Sequence, residues 1–432
     1  MYRHFNEYRS ISDQMNYGFF FCDAKKDNFF VQHVDGKNTG LEKKRKKFIL
    51  RFLRSIFGLK EELFPPSVLI TGGGTGGHLF PGIAIAESLI EKDKNTRILF
   101  VNTGNAFEKA ILSEKRFSLE AIDVEGIKGR GVMAKLKSLF KIPKAFMASI
   151  AILKKFQPGI VIGMGSYSSG PVVLAAWVMG IRIVLHEQNF WPGITNRLLS
   201  RIADRIYVSF PGTKMISNPE KLRIFGNPVR KEILESAGSL GEHENQLNQT
   251  SGKKMTIVVL GGSQGAHSIN MAVMEALPYL TSGSNYRFIH QTGVADEATV
   301  TEAYKRWEIP GVVKSFFNDM ATLYSQADLL ICRAGATTVA EVTSIGKSVI
   351  FIPYPFAADN HQVLNAKALV DGGAAEMITE DALSGKKLAE RIKALADDPE
   401  RMDEMKRNSK KFGHPDAAEE IIKDIYNLIK GV

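Results

Sequence analysis

Two glycine-rich segments of this sequence combine residue types and a spacing that suit the binding of a negatively charged group. The first, GGGTGG at 72–77, has the spacing GxGxxG and lies just after the apolar run at 68–70. The second, GGSQG at 261–265, follows the apolar run at 256–260. Glycine lets the backbone approach a ligand closely, and free amides in such a loop can face an anion. Each segment is therefore a candidate phosphate loop, with a tight turn that binds no ligand as the alternative.

The residues that accompany these loops decide between several kinds of chemistry. A dinucleotide enzyme should carry Asp or Glu at the end of its second strand, but FVNTG at 100–104 has no carboxylate, which disfavours an NAD(P) dehydrogenase. The second loop also fits GxSxG, the nucleophile elbow of α/β hydrolases, with Ser263 as nucleophile. The acid and histidine of a hydrolase would come from Asp328 or Asp359 with His361 or His414. Two similar loops opening two similar domains favour instead a nucleotide held across a cleft.

Regular elements must hold these loops, and strand and helix patterns alternate along most of the chain. The run at 68–70 predicts a buried strand, and 79–92 predicts a helix. After a polar stretch at 236–254 the same theme restarts, with a strand predicted at 256–260 and a helix at 266–280. Alternation of this kind predicts parallel sheets covered by helices.

The alternation and the length of 432 residues predict two domains with additions at both ends. Residues 1–66 lack a sustained period and end at Pro65-Pro66, so we interpret them as an extension outside the fold, poorly ordered or associated with a membrane. Three parts follow: an N-terminal Rossmann-like domain at 67–228, a C-terminal Rossmann-like domain at 229–416, and a helix at 417–432 that packs back on the N-terminal domain. The predicted fold class is α/β, with two doubly wound domains and an interdomain cleft.

The composition is that of a globular protein, with 44% hydrophobic and 24% charged residues. Two distant cysteines, Cys22 and Cys332, cannot build a disulfide framework, which indicates a reducing compartment. The longest apolar stretch, 170–181, is shorter than the roughly 20 residues that span a bilayer. The net charge of +10 is local, because residues 42–60 contain eight Lys or Arg against one Glu. We therefore expect no nucleic-acid partner.

Six segments carry more specific motifs: GGGTGGHLFPGIAIA (72–86), GMGSYSSGPVVLAAW (163–177), LHEQN (185–189), GNPVR (226–230), GGSQGA (261–266) and CRAGATTVAE (332–341). In order and spacing they resemble the MurG family, the UDP-N-acetylglucosamine:lipid I N-acetylglucosaminyltransferases of bacterial peptidoglycan synthesis, over about residues 67–428. The resemblance implies a GT-B fold. It also implies transfer of N-acetylglucosamine from UDP-N-acetylglucosamine (UDP-GlcNAc) to undecaprenyl-pyrophosphoryl-MurNAc-pentapeptide (lipid I), with inversion at the donor sugar, to give lipid II.

The resemblance also implies donor-binding roles for residues of both domains. These are Gly74, Thr75, Gly76 and Asn189 near the donor sugar, Gln362 at a sugar hydroxyl, Arg230 and Ser263 at the diphosphate, the backbone of Phe317 at the uracil, and Ala336, Thr337, Thr338, Val339, Ala340 and Glu341 around the diphosphate and ribose. Two positions depart from the family's usual pattern: Phe317 replaces an isoleucine, and His361 stands where the family has a second glutamine.

Elementary chemistry agrees with these roles. Ribose hydroxyls need a fixed acceptor such as the Glu341 carboxylate, whose alternative interpretation is an exposed helix residue. A departing UDP needs positive charge or helix amides, which Arg230 and the helix beginning near Thr337 would supply. No Asp-x-Asp occurs in the sequence, so we expect neither a metal nor another cofactor.

His78 follows the first loop and could be the general base that deprotonates the acceptor hydroxyl, or a histidine that only orders the loop. Glu187 could be a second base, a residue that positions the acceptor, or a structural partner of nearby loops. Gly165, Ser166 and Tyr167 could line the site of the acceptor pyrophosphate, or the glycine could only let a helix pack closely on the sheet. We expect Trp177 and Phe356 to pack in the core or the cleft. A nucleotide-sugar binding module without catalysis also stays open.

Two basic amphipathic stretches suit a membrane surface. Residues 133–156 place Leu136, Leu139, Phe140 and Phe146 among lysines, and residues 43–60 mix basic and apolar side chains. The alternatives are an ordinary domain helix for the first and a disordered tail for the second. The predicted partners are UDP-GlcNAc, lipid I, an anionic membrane surface and other cell-wall synthesis proteins. The predicted location is peripheral, on the cytoplasmic face of the bacterial inner membrane.

Overall fold

The computed structural model describes residues 67–125, 132–213, 219–236, 254–262, 264–281 and 285–430, without the side chains of 132–140 and 358. The predicted extension at 1–66, its basic stretch at 43–60 and Ser263 lie outside the described residues.

The first sheet has seven strands, all in parallel pairs, in the order β3-β2-β1-β4-β5-β6-β7. Its strands are β1 Ser67–Thr71, β2 Arg97–Asn102, β3 Ser118–Ala121, β4 Ile160–Gly163, β5 Arg182–Glu187, β6 Arg205–Val208 and β7 Leu222–Ile224. The helices among them are α1 Gly76–Lys92, α2 Ala106–Glu114, α3 Val132–Phe156, α4 Ser166–Val178 and α5 Ile194–Leu199.

The second sheet has six parallel strands in the order β10-β9-β8-β11-β12-β13. Its strands are β8 Met255–Leu260, β9 Tyr286–Gln291, β10 Gly311–Lys314, β11 Leu329–Cys332, β12 Ser348–Phe351 and β13 Glu376–Met377. The helices are α6 His267–Leu280, α7 Glu297–Arg306, α8 Met320–Gln326, α9 Ala336–Ile345, α10 His361–Val370, α11 Gly385–Ala396, α12 Pro399–Phe412 and α13 Ala417–Lys430. The prediction of two doubly wound α/β domains is confirmed.

The central strands are apolar throughout because helices cover both faces of each sheet. In β1, Val68 and Ile70 belong to one core cluster, while Leu69 between them belongs to another. Successive side chains of a strand point to opposite faces, so this strand contributes to two hydrophobic cores. Its burial explains why it reads as a continuous apolar run.

The last helix, α13, packs on the first sheet although it follows the second in sequence. Ile421, Ile425 and Ile429, spaced four residues apart on one face, lie in the core cluster that contains Val68 and Ile70. The Tyr207 hydroxyl donates to Asp424 Oδ2 over 3.0 Å. Of the helices in the described part of the chain, none combines the length and apolar character needed to cross a bilayer.

The order of the strands in each sheet determines where the glycine-rich loops lie. The connections run in opposite directions from β1 and β4 in the first sheet, and from β8 and β11 in the second, which makes each pair a switch point. Open α/β sheets bind ligands at the carboxyl ends of such strands. Helices α1, α4, α6 and α9 begin there, and none has a side-chain cap. Their first amides lack partners within the helix and carry the positive end of its dipole.

Candidate functional site

The amides of the first glycine loop are bound by the protein itself. Gly72 N donates to Asn102 Oδ1 over 2.8 Å, Gly73 N to Ser168 Oγ over 3.2 Å, and Gly74 N to Glu108 Oε1 over 2.6 Å. The expectation that these amides face a bound anion is therefore wrong at 72–74. A phosphate on this loop would meet only the amides at the start of α1.

Glu108 is the residue that sequence reasoning missed here. Its side chain is 0% exposed. Besides Gly74, its carboxylate accepts hydrogen bonds from Thr103 Oγ1, Gly104 N and Asn105 N at 2.8–3.2 Å. The sequence has no carboxylate at the end of β2, but Asn105 and Glu108 form a capping box at the start of α2. The N-x-x-E spacing of that box was the available signal.

The predicted acceptor residues adjoin the first loop. Gly72 and Gly165 both have positive φ, 121° and 91°, and a Cβ on Gly72 would collide with the Gly165 carbonyl. Ser166 Oγ and Tyr167 Oη lie 3.9 and 4.0 Å from where a Cβ of Gly74 would stand. The two loops thus touch through backbone that only glycine permits at this distance.

His78 lies in the first turn of α1 with one ring nitrogen turned inward. Its Nδ1 is 3.0 Å from the Met164 carbonyl oxygen and 3.0 Å from Gln188 Oε1. Gln188 Nε2 donates to the same carbonyl over 2.8 Å, which fixes the orientation of the amide. Because a carbonyl only accepts, the proton of neutral His78 belongs on Nδ1 in this network. Nε2 then keeps the lone pair that a general base needs.

A second histidine, His186, is buried close to His78. Burial lowers the pKa of His186 to about 4, against the raising effect of its bond to the Gly226 carbonyl, and the charge of His78 lowers it further. Its Nε2 lies 3.1 Å from that carbonyl. His186 is therefore neutral near pH 7 and does not add charge to the site.

Glu187 orders the loop after β5. Its Oε1 accepts from the backbone and side-chain nitrogens of Asn189 over 3.0 and 3.3 Å. Its Oε2 accepts from Gly193 N over 3.1 Å and from Asn196 Nδ2 over 2.9 Å. With four donors and 2% exposure, this carboxylate is structural in the present arrangement. The predicted donor contact Asn189 is thereby held beside the cleft.

Arg230 and Glu341 form a buried ion pair. Arg230 Nη2 lies 2.7 Å from Glu341 Oε1, and the Tyr324 hydroxyl donates to Oε2 over 2.8 Å. Glu341 is 3% exposed, so its alternative interpretation as an exposed helix residue is wrong. Burial alone would lower the pKa of Arg230, but the attraction of Glu341 outweighs it and raises the pKa. The guanidinium also lies 4.4 Å from the centre of the Phe80 ring of α1.

The start of α9 faces the start of α1. Thr337 Oγ1 donates to the Gly77 carbonyl oxygen over 3.2 Å, which joins the first turns of α9 and α1 across the cleft. Ala336 and Val339 are buried, and Val339 N already donates to the Gly335 carbonyl oxygen over 2.9 Å. Thr338 and Ala340 are partly exposed. Gly335, the N-cap of α9, provides no side-chain cap, so the first amides of α9 lack an intrahelical partner, and the Thr337–Gly77 bond brings this helix start to the residue before His78.

The other predicted donor residues lie on neighbouring loops. Phe317 N donates to Gln291 Oε1 over 3.0 Å, and Gln291 Nε2 donates to Gly262 O over 2.8 Å, so Gln291 ties this backbone to the second glycine loop. Gln362 Oε1 accepts from Tyr354 N over 2.9 Å. Protein groups therefore already bond the Phe317 amide and the Gln362 side chain.

Several other expectations can be compared with the structure. Trp177 is 50% and Phe356 81% exposed, so neither is a core residue. Asp328 Oδ2 accepts from Thr256 N over 2.8 Å at the amino end of β8, the opposite end from the GxSxG loop. A hydrolase could not use it with Ser263. Among the described residues, no three His, Cys, Asp or Glu side chains could together hold a metal ion.

Comparisons with known proteins agree with this arrangement. The family models "Glycosyltransferase family 28 N-terminal domain" and "Glycosyltransferase family 28 C-terminal domain" match residues 68–208 and 256–421. This chain is similar in sequence to proteins named UDP-N-acetylglucosamine--N-acetylmuramyl-(pentapeptide) pyrophosphoryl-undecaprenol N-acetylglucosamine transferase. The one from Syntrophus aciditrophicus is 44% identical over 84% of this chain and 99% of its own length. The one from Geotalea uraniireducens is 44% identical over 83% of this chain and 97% of its own length.

A solved structure is also similar. The crystal structure of Acinetobacter baumannii MurG has a TM-score of 0.67 and 30% sequence identity, and the match covers 85% of this chain and 100% of that one. The Neisseria meningitidis UDP-GlcNAc 2-epimerase bound to UDP-GlcNAc has a TM-score of 0.57 at 15% identity over 84% and 100% of the two chains, which shows the fold alone.

Replacing Glu108 should loosen the first glycine loop. Glu108→Ala leaves four partly buried donors without their acceptor. We expect the free energy of unfolding to fall by about 2–5 kcal/mol, less than four times the cost of about 1–3 kcal/mol for a fully buried donor, because water can reach part of each site. Urea denaturation measures this. The control is Glu114→Ala on the same helix, an exposed carboxylate whose loss should change stability little. Equal stability of the two variants would contradict the role of Glu108.

Proposed function

We propose that this chain, which belongs to the MurG family of glycosyltransferases, transfers N-acetylglucosamine from UDP-GlcNAc to lipid I and produces lipid II for peptidoglycan synthesis. The relatives are named for this transfer, and the chain spans almost their whole length. The fold is GT-B. Within the structure the proposal is supported most by the Thr337–Gly77 contact, which brings the start of α9 in the second domain to the residue before His78 in the first domain.

The donor would lie mainly on the second domain. We assign the diphosphate to Arg230, the amides of α9 and the loop containing Ser263, the ribose hydroxyls to Glu341, the uracil to the backbone of Phe317, and the sugar to Asn189, Gln362 and the segment at 74–76. Because Arg230 is paired with Glu341, the diphosphate would share the guanidinium with that carboxylate. We propose that Arg230 and the α9 dipole offset the charge of departing UDP without a metal or other cofactor.

His78 would act on the acceptor. Its Nε2 takes the proton of the muramyl 4-hydroxyl while that oxygen forms a bond to C1 of the donor sugar. The bond between C1 and the diphosphate oxygen breaks at the same time, and UDP leaves with the electron pair. One displacement of this kind inverts the configuration at C1. The hydrogen bonds from Nδ1 to two carbonyl oxygens stabilise the imidazolium that results.

The acceptor's lipid tail stays in a bilayer, so we propose that the chain works as a peripheral protein on the cytoplasmic face of the bacterial inner membrane. Helix α4, which contains Tyr167, packs on both α3 and α5. Six exposed apolar side chains lie on and around these three helices. They are Met147, Leu174, Trp177, Trp191, Ile194 and Leu198, with Lys144, Arg197 and Arg201 among them. We name these six apolar residues the apolar surface.

In the predicted stretch at 133–156, two described side chains already have partners within the protein. Phe146 packs against the core cluster, and Lys141 pairs with Asp123 and Glu125 over 2.8 and 2.6 Å. The side chains of Leu136, Leu139 and Phe140 lie outside the described residues. Through lipid II the chain would serve cell-wall biogenesis, cell shape and cell division, alongside other cell-wall synthesis proteins.

Transfer itself is the first test. The purified chain, UDP-GlcNAc labelled in the sugar and a lipid I analogue should give a labelled disaccharide-lipid product, separable by chromatography. Consumption of the donor without label in the lipid would favour a hydrolase, and tight donor binding without consumption would favour a binding module. Covalent labelling by a serine-directed phosphonate gives an independent check, because only a hydrolase using Ser263 should react.

His78→Ala should separate catalysis from binding. A missing base acts in the transition state, so kcat should fall by about 10²- to 10⁴-fold, while the Kd of UDP-GlcNAc stays within about twofold. Steady-state kinetics and calorimetry measure the two quantities. His267→Ala, a change of an exposed histidine on α6, is the matched control and should leave both unchanged. Near-normal turnover in His78→Ala would return that histidine to a structural role.

Vesicle binding should depend on both charge and the apolar surface. Each basic side chain near anionic headgroups contributes about 1 kcal/mol and is screened by salt, so co-sedimentation with anionic vesicles should exceed that with neutral vesicles and fall with ionic strength. Ile194→Ser with Leu198→Ser should weaken it, whereas Val294→Ser, at an exposed apolar residue of the second domain, should not. Equal binding to both vesicle types would refute the model. Loss of binding only in a chain starting at Ser67 would assign attachment to residues 1–66.

A further inference from the structure

Asn365 is a buried amide that joins the two domains. It lies on α10 of the second domain and is 0% exposed. Its Oδ1 accepts from Phe190 N of the first domain over 3.0 Å. Its Nδ2 lies 3.3 Å from Asn189 Oδ1 and 3.3 Å from the Ala334 carbonyl oxygen. Every hydrogen-bonding group of this amide therefore has a partner, and two of the three partners belong to the other domain.

The three segments that meet at Asn365 surround the proposed donor sugar. Asn189 belongs to the loop after β5, and Ala334 immediately precedes the residue that caps α9. Gln362 lies three residues earlier on α10, a spacing that places it on the same side of the helix as Asn365. The amide thus connects the sugar-binding residue of the first domain with the anion site of the second.

Asn365 also fixes the direction of the Asn189 side chain. Asn189 Nδ2 donates to Glu187 Oε1 over 3.3 Å on the first domain's side, and its Oδ1 accepts from Asn365 on the other side. The second of these bonds requires the domains to be as close as they are here, because Asn189 and Asn365 belong to different domains. It is the bond that fixes the direction of the Asn189 oxygen.

The contact is more than apolar packing. The Phe190 ring lies against the core cluster of the second domain, so the loop already has a hydrophobic anchor there. An amide adds direction to that anchor, because its donors and acceptor must meet their partners at defined angles. Burying an amide among apolar neighbours is unfavourable unless these bonds form.

We infer that Asn365 is a positioning residue that sets Asn189 for the donor sugar in this arrangement of the two domains. The inference rests on the proposed function. Asn365 itself need not touch the substrate, because it acts through Asn189 and the Phe190 backbone. The UDP part of the donor, held on the second domain, does not require this contact, whereas the sugar does.

The test uses the full chain and the variants Asn365→Ser and Asn365→Asp. Serine shortens the side chain, and aspartate keeps an acceptor for Phe190 N while losing both donors. We expect the Kd of UDP alone to stay within about twofold of the parent and kcat/KM for UDP-GlcNAc to fall at least about tenfold, mainly through KM, since a factor of ten corresponds to the loss of one good polar contact. The control Tyr207→Phe removes another buried bond, to Asp424 on α13, and should leave kcat/KM unchanged.

A double-variant cycle distinguishes positioning from simple destabilisation. If Asn365 acts through Asn189, then Asn189→Ala with Asn365→Ser should be no less active than Asn189→Ala alone. Additive losses, a parent-like kcat/KM in both folded Asn365 variants, or an equal loss of UDP affinity would each overturn the inference. A parent chain that transfers no sugar would be a failure of the proposed function instead, and the same assay reports it.

Discussion

The cleft depends on buried carboxylates that accept hydrogen bonds from loop backbone and side chains. Glu108 holds the first glycine loop, Glu187 holds the loop after β5, and Glu341 binds Arg230 at the entrance of the second domain. A buried charge without partners is strongly unfavourable, so each carboxylate orders whatever donors surround it. Loops rich in glycine have little side-chain packing of their own. These carboxylates supply the order that such loops lack.

The first glycine loop and the start of α9 differ in their electrostatics. In the first loop an internal carboxylate already occupies the face where a phosphate would bind, so a second negative charge there would be repelled. The first turn of α9 has no side-chain cap and no acidic residue, and Arg230 pairs with Glu341 farther along the same helix. The electrostatics therefore favour a neutral hydroxyl-bearing group at 72–74 and an anion at α9. That division suits a sugar at the first loop and a nucleotide diphosphate at α9.

Among the described residues, several directional contacts cross the cleft. Thr337 reaches Gly77, Asn365 reaches the loop of Asn189, and Arg230 lies over the ring of Phe80. Directional bonds are lost sharply when groups move apart, whereas a wide apolar interface would hold the domains together irrespective of ligand. Helix α13 packs its isoleucines on the first sheet and so connects the two domains a second time.

The sequence by itself determined the two α/β domains, the positions of both glycine loops and the membership of the family. Those features depend on local periodicity and on motifs that lie within short stretches, such as the run at 68–70. Only the tertiary structure decided which protein groups already bond the amides of the first loop. Gly74 meets Glu108 across 34 positions, and Arg230 meets Glu341 across 111, so no local pattern could show that these groups are already paired. The exposure of Trp177 was decided in the same way, because burial depends on which elements the fold places beside a residue.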